Sequence, residues 1–152
     1  MAKAPRYGDV GPAEPLGTLA NGVLRALWDA TLSESGDALS GDGVEAIHDM
    51  RVAIRRLRSA FRTFADCYPQ KPLERIARRT RRLGRKLGEV RDADVHLAVL
   101  RSALAGAAEG ERAGILFAIE QIGESRGRAL AQFAILLSQF DRHALERMIE
   151  RV

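Results

Sequence analysis

The chain has 152 residues and a single cysteine, Cys67, which indicates one domain and excludes an intramolecular disulfide. A chain of this length buries enough apolar surface to fold without a structural metal. No stretch approaches the ~18 apolar residues that a membrane span requires, and the first 20 residues lack the apolar run of a signal peptide. We therefore expect a soluble, cytoplasmic protein.

Positive charge is concentrated in the middle of the chain. Residues 48–91 contain 14 Lys and Arg against 4 acids, whereas the remaining residues contain 10 basic and 16 acidic side chains. Because solubility does not require one sign of charge to be segregated, this distribution suggests a polyanionic partner. Arginine supplies 21 of the 24 basic residues, and its guanidinium group matches phosphate oxygens bidentately.

The positions of prolines and apolar residues predict an all-α chain. Three early prolines indicate an N-terminal arm over residues 1–13, and we assign residues 14–152 to one antiparallel bundle of about four to five helices. No alternating apolar run predicts a β-sheet. In chain order, helices are predicted over about residues 14–34, 43–66, 72–88, 92–104 and 112–139, with a possible short helix over 141–150.

The second predicted helix places a row of cations beside its buried face. Its apolar residues recur at steps of three and four, as in a packing stripe: Ile47, Met50, Ile54, Leu57, Phe61 and Phe64. At ~100° per residue, one acid-free band runs alongside that stripe for ~21 Å. This basic band consists of His48, Arg51, Arg55, Arg58 and Arg62. Cations at every turn could follow a linear polyanion along the helix.

The third predicted helix is basic over most of its surface outside an apolar stripe. Two such helices packed side by side would form a basic wall, and an anion in the groove between them would relieve the repulsion. Besides the basic band, the candidate anion-binding residues are Arg56, Arg78, Arg82, Arg85, Lys86 and Arg91.

Two segments resemble the signatures of the CHAD domain, an α-helical domain named for its histidine. They are VEAIHDMRVAIRRLRSAFRTF, residues 44–64, and KLGEVRDADVHLAVL, residues 86–100. The matching residues are His48, Arg51, Val52, Arg55, Arg56, Leu57 and Arg58 in the first, and Leu87, Gly88, Arg91, Asp92, Asp94 and Val95 in the second. The resemblance implies a non-enzymatic module, without cofactor, that binds inorganic polyphosphate and is often associated with polyphosphate granules.

The chain departs from the family pattern in length. The family's full domain resembles two helical halves, each with a basic helix, and this chain offers only the first. Either two copies rebuild the arrangement of two halves, or the chain is a truncated form, or half a domain is sufficient. We expect a homodimer, because the apolar residues are too numerous for one face of a small bundle: Phe117, Phe133, Ile135, Leu136, Leu137 and Phe140.

Two other functional classes remain open. Nucleic acid attracts the same arginines, but the basic helices lack a stacking platform and a set of Asn or Gln to read bases. The dipeptide His48-Asp49 suggests a phosphohydrolase of the HD type, although no His precedes it. Asp92 is expected to cap a helix or to pair with an arginine, and a metal site at Asp92, Asp94 and His96 is a minor alternative.

Overall fold

A computed structural model of the protein describes residues 14–40, 43–140 and 142–150. These ranges contain six helices, one 3-10 turn at Ala65–Cys67 and no strand, so the all-α prediction is confirmed. The predicted N-terminal arm, residues 1–13, lies outside the described residues. In chain order the helices are α1 (Leu16–Ser33), α2 (Ser35–Leu39), α3 (Val44–Thr63), α4 (Gln70–Gly106), α5 (Glu109–Ser138) and α6 (Arg142–Ile149).

One hydrophobic core joins α1, α3, α6 and the adjoining halves of α4 and α5. The apolar stripe of α3 is buried in it, as its periodicity predicts. Trp28 of α1 stacks on Phe140, with ring centroids 4.6 Å apart. The largest side chains that are fully buried include Leu24, Ile47, Met50, Ile54, Leu57, Leu83, Leu87, Phe133, Leu145 and Met148.

The predicted break between a third and a fourth helix is wrong, because α4 continues unbroken for 37 residues. Gly88 lies inside it and is buried. A glycine inside a helix costs only about 1 kcal/mol relative to alanine, and burial of Leu87 and Val90 beside it offsets that cost. Asp92 therefore lies within the helix and does not cap one.

Helices α4 and α5 form a long antiparallel hairpin. Only Ala107 and Ala108 connect them, so most of the predicted loop AGAAEGE is helical. The Ala108 N–H donates to the carboxylate of Glu111 at 3.2 Å, which satisfies an open donor at the start of α5. No residue from 98 to 128 is buried, so this end of the hairpin extends beyond the core.

Helix α4 lies between α3 and α5 and packs against both. This central position decides which of its arginines can share a surface with the basic band. No helix in the described ranges is both long and apolar enough to cross a bilayer.

Candidate anion-binding site

The basic band lies on the rim of α3, beside the buried stripe. Arg51, Arg55 and Arg62 are exposed, whereas His48 and Arg58 are half-buried. Their spacing of three and four residues keeps them on one side of the helix. Arg56, which the sequence also singles out, lies about 100° or more away from the four arginines of the band on the same helix.

Helices α3 and α4 run antiparallel with a definite register. A β-carbon at Gly84 would lie 3.9 Å from Nη1 of Arg58, and a β-carbon at Gly88 would lie 2.8 Å from Nη1 of Arg51. Moving back by seven residues along α3 therefore corresponds to moving forward by four along α4. Arg51 and Arg58, the two arginines of the band that point towards α4, therefore each contact α4 at a glycine.

This glycine strip, Gly84 and Gly88, makes room for arginine side chains as well as for close packing. At Gly84 the nearest atom is Cγ2 of Ile54, at 3.0 Å from the position of a β-carbon. At Gly88 the nearest atoms all belong to the Arg51 guanidinium. Glycines four residues apart on one helix permit a close approach, which Gly84 provides against Ile54, whereas Gly88 accommodates a cation.

Asp92 faces the same arginine from one turn further along α4. Its Oδ1 lies 3.9 Å from Nη1 of Arg51, and the two side chains are 68% and 46% exposed. A pair so long and so exposed to water contributes little to stability. Of the two roles expected for Asp92, the helix cap is wrong, and the pairing with an arginine is present as this long contact with Arg51.

Most of the arginines near the α3–α4 groove are not neutralised by acids. Within the described part of the chain, no carboxylate forms an ion pair with Arg55, Arg58 or Arg62, and Arg62 donates instead to the Ser59 hydroxyl at 3.2 Å. The same holds, among those residues, for Arg85 and Arg91 of α4. Their charge is available to an external anion.

The candidate residues of α4 divide between its two flanks. Around the helix, Arg85 lies about 80° and Arg78 about 100° to one side of the mean direction of the glycine strip, whereas Arg91 lies about 40° to the other side. Arg91 lines a separate depression of about 720 Å³ that also includes Val44 and Arg126. Arg81 was omitted from the sequence-based candidates, yet it lies only about 40° from the strip. The glycine spacing, used as a marker of the side facing α3, could have identified it.

Arg82 and Lys86 lie on the opposite flank, next to α5. Together with Arg85 they line a depression of about 360 Å³ that also includes Glu89 and Leu136 of α5. Lys86 is paired there with Glu89 at 2.8 Å. Arg82 and Lys86 therefore do not share the α3–α4 groove, and Arg85 lies between that groove and this depression, contrary to the idea of a single trough containing every candidate.

Asp94, another acidic residue of the second signature segment, forms an ion pair inside the fold. Asp94 is buried, with its side chain 5% exposed, and its Oδ1 accepts a hydrogen bond from Nε of Arg126 at 2.5 Å. This ion pair joins α4 to α5, which the sequence did not predict. Among the described residues no cluster of three or more His, Cys, Asp and Glu side chains could hold a metal ion.

The comparisons with known proteins give one match. The family model of the CHAD domain matches residues 22–152, nearly the whole chain. No curated protein and no solved structure matches at a significant level.

Proposed function

The chain belongs to the CHAD domain family, and on that premise we propose that it binds inorganic polyphosphate on the basic band of α3. Binding domains of this family are known to take polyphosphate and are generally not catalytic. The proposed site comprises His48, Arg51, Arg55, Arg58 and Arg62, with Arg81, Arg85 and Arg91 of α4 beside them. Arg56, Arg78, Arg82 and Lys86 would contribute only to the surrounding potential.

The observation that carries this proposal is the row of arginines at successive turns of α3. Among the described residues Arg55, Arg58 and Arg62 have no acidic partner, and Arg51 has only the long, exposed contact with Asp92. Each guanidinium can form bidentate, charge-assisted hydrogen bonds with phosphate oxygens. A polymer of phosphates supplies such oxygens at every step along the row, and it relieves the repulsion among the cations. A compact anion would engage only one or two of them.

The alternative of nucleic acid binding has less support. Phe61 is buried and Phe64 is half-buried against the core, so neither offers a face on which a base could stack. Helix α3 contains no Asn or Gln to read base edges. Duplex DNA should therefore bind only through its phosphates, and with steep salt dependence.

The phosphohydrolase alternative also has little support. The described part of the chain offers no cluster of metal ligands around His48 and Asp49. We propose that His48 contributes a hydrogen bond to a phosphate oxygen and takes no part in catalysis. Turnover of a phosphate ester in the presence of a divalent metal would contradict this.

The test compares two triple variants that remove the same charge. Replacing Arg51, Arg55 and Arg58 by Ala should abolish binding of long-chain polyphosphate, because the band is interrupted over about two turns. Replacing Arg75, Arg79 and Arg82, which are exposed on the other side of α4, should weaken binding only moderately. Circular dichroism would confirm that both variants remain helical.

Titrations at two salt concentrations complete the test. We expect polyphosphate to bind at micromolar affinity or tighter, to weaken as salt rises, and to outcompete duplex DNA of equal charge. Equal loss of binding in the two triple variants would show that net charge alone attracts the polymer. Equal affinity for DNA would favour the nucleic acid class.

A homodimer and a location in the cytoplasm, at polyphosphate granules, also belong to this proposal. Of the apolar residues that suggested a dimer, Phe133 and Phe140 are buried in the chain's own core, and Leu136 and Leu137 are packed partly against it. The remaining two, Phe117 and Ile135, are exposed on α5. The proposed dimer therefore depends on α5, and a light-scattering mass would test it.

A further inference from the structure

The outer face of α5 carries two large apolar side chains that the described chain leaves uncovered. Phe117 is 63% exposed and Ile135 is 56% exposed. They are 18 residues apart, which is five full turns, so they lie on the same face about 27 Å from each other along the helix. Isolated exposed apolar residues are common, but this pair has a regular arrangement.

A pair of opposite charges lies between them on that face. Glu124 and Arg128 are each within about 20° of the line joining Phe117 and Ile135. Their side chains are more than half exposed, and Nη1 of Arg128 lies 3.4 Å from Oε2 of Glu124. Phe117 and Ile135 lie nine residues before and after Arg126, and Glu124 and Arg128 lie two residues before and after it. The apolar pair and the charged pair therefore share one midpoint.

We propose that this face of α5 binds the same face of a second copy of the chain, with the two helices antiparallel. A twofold axis beside residue 126 places Phe117 opposite Ile135 of the second copy and Glu124 opposite Arg128 of the second copy. The contact is then isologous, and every group meets a complementary one. In a parallel arrangement the charges would meet like charges.

The face also fits a second copy better than an unrelated partner. The apolar pair and the charged pair have the same midpoint in the sequence, so this face of α5 is complementary to itself. No partner with a different sequence has to be assumed. The neighbouring Leu116 is 51% exposed, but it lies about 100° away from Phe117 and has no counterpart on this line. Contact between one helix from each copy buries less than the ~800 Å² per partner of a standard interface, so we expect a dimer that dissociates at micromolar concentrations.

This inference rests on the homodimer of the proposed function and is independent of polyphosphate binding. Because α4 separates α5 from α3, the basic band of each copy lies away from the contact. A dimer would then present two separate bands and no enclosed channel. A long polyphosphate chain that engages both bands would gain avidity, which a short chain cannot.

The first experiment compares neighbouring apolar residues by light scattering across a concentration series. The unmodified chain should have the mass of a dimer at high concentration. Phe117→Ser should shift dimerisation to at least tenfold higher concentration, whereas Leu116→Ser, a matched loss of exposed apolar surface, should leave it unchanged. Equal effects of the two substitutions, or a monomer at every concentration, would overturn the proposal.

The second experiment uses charge reversal. Glu124→Arg places four arginines at the twofold axis, and Arg128→Glu places four glutamates there, so each variant alone should be monomeric. An equimolar mixture should form a heterodimer, because one chain then supplies the cations and the other the anions. Failure of the mixture to associate, with both variants fully helical, would exclude this face as the contact.

Polyphosphate binding by the same variants separates the two proposals. Monomeric Phe117→Ser should bind a short polyphosphate with unchanged affinity per chain and should lose several-fold in affinity for a long one. If short-chain binding were absent in the unmodified chain while the dimer formed, the proposed function would fail and the dimer contact would stand. The reverse pattern would overturn the contact alone.

Discussion

The guanidinium group of Arg51 lies directly over Gly88, where a β-carbon would come within 2.8 Å of its Nη1. Any residue other than glycine at this position would occupy the space in which the charge now lies. Gly88 thus makes room for a cation of α3 on the surface of α4. Gly88 is buried within an uninterrupted helix, so it does not form a turn. Its role is to leave space for the side chain of Arg51.

Gly88→Ala should weaken polyphosphate binding several-fold without destabilising the protein. The added methyl group displaces only the flexible end of Arg51, and alanine favours the helix by about 1 kcal/mol. Gly123→Ala is the control, because no atom lies within 4 Å of its β-carbon position, and it should leave affinity unchanged. Isothermal titration and urea unfolding of both variants measure the two effects; unchanged affinity in Gly88→Ala would show that the placement of Arg51 is unimportant.

Asp92→Ala should raise polyphosphate affinity about two- to fivefold at low salt. The carboxylate lies 3.9 Å from Arg51 and competes with phosphate for it, while an exposed pair contributes only about 0–1 kcal/mol to stability. Glu89→Ala removes the same charge beside Lys86 on the other flank and should have a smaller effect. A loss of affinity in Asp92→Ala would mean that Asp92 orients Arg51 for the ligand.

Arg126→Met should destabilise the fold by about 3 kcal/mol, because it leaves the carboxylate of Asp94 buried without its cationic partner. The double variant Asp94→Leu, Arg126→Met should recover most of that loss, since it removes both charges together. Urea unfolding of the two variants gives the comparison. A double variant as unstable as Arg126→Met would indicate that packing of the Arg126 side chain, rather than charge, holds α5 to α4.

The free energy of unfolding should fall at high pH, when the hydroxyl of Tyr68 ionises. Burial raises the pKa of this phenol to about 12 from the usual 10.0, with a smaller increase from Cys67 and an opposing effect of Arg25. The neutral hydroxyl donates to Oδ1 of Asn21 at 2.8 Å. Because the folded state holds the proton more tightly, this stabilisation is complete below about pH 10 and is lost as pH rises towards about 12.

Tyr68→Phe tests this dependence. The variant should be less stable at pH 8, where it lacks the hydrogen bond, but its free energy of unfolding should fall less between pH 9 and 12. Chemical unfolding at several pH values measures both slopes. Parallel slopes for the two proteins would contradict a raised pKa at Tyr68.

The helical class and the basic band could be predicted from the sequence because both are local. In α3 the spacing of Ile47, Met50 and Ile54 determines the buried side, and the position of each arginine around the helix follows from it. The end of the third predicted helix could not be found in this way. Gly88 and Asp92 are typical of a helix boundary in isolation, and only packing on both sides keeps α4 continuous through them.

The sequence by itself determined that the chain is helical and that arginines line one side of α3, since a helical repeat orders residues along a single element. It could not determine which arginines of α4 join them, because α4 has cations on most of its circumference. That choice was made by the tertiary structure: α3 packs on the side of Gly84 and Gly88, where small residues permit close approach, and α5 packs beside Arg82 and Lys86, which stay exposed and half-buried, respectively.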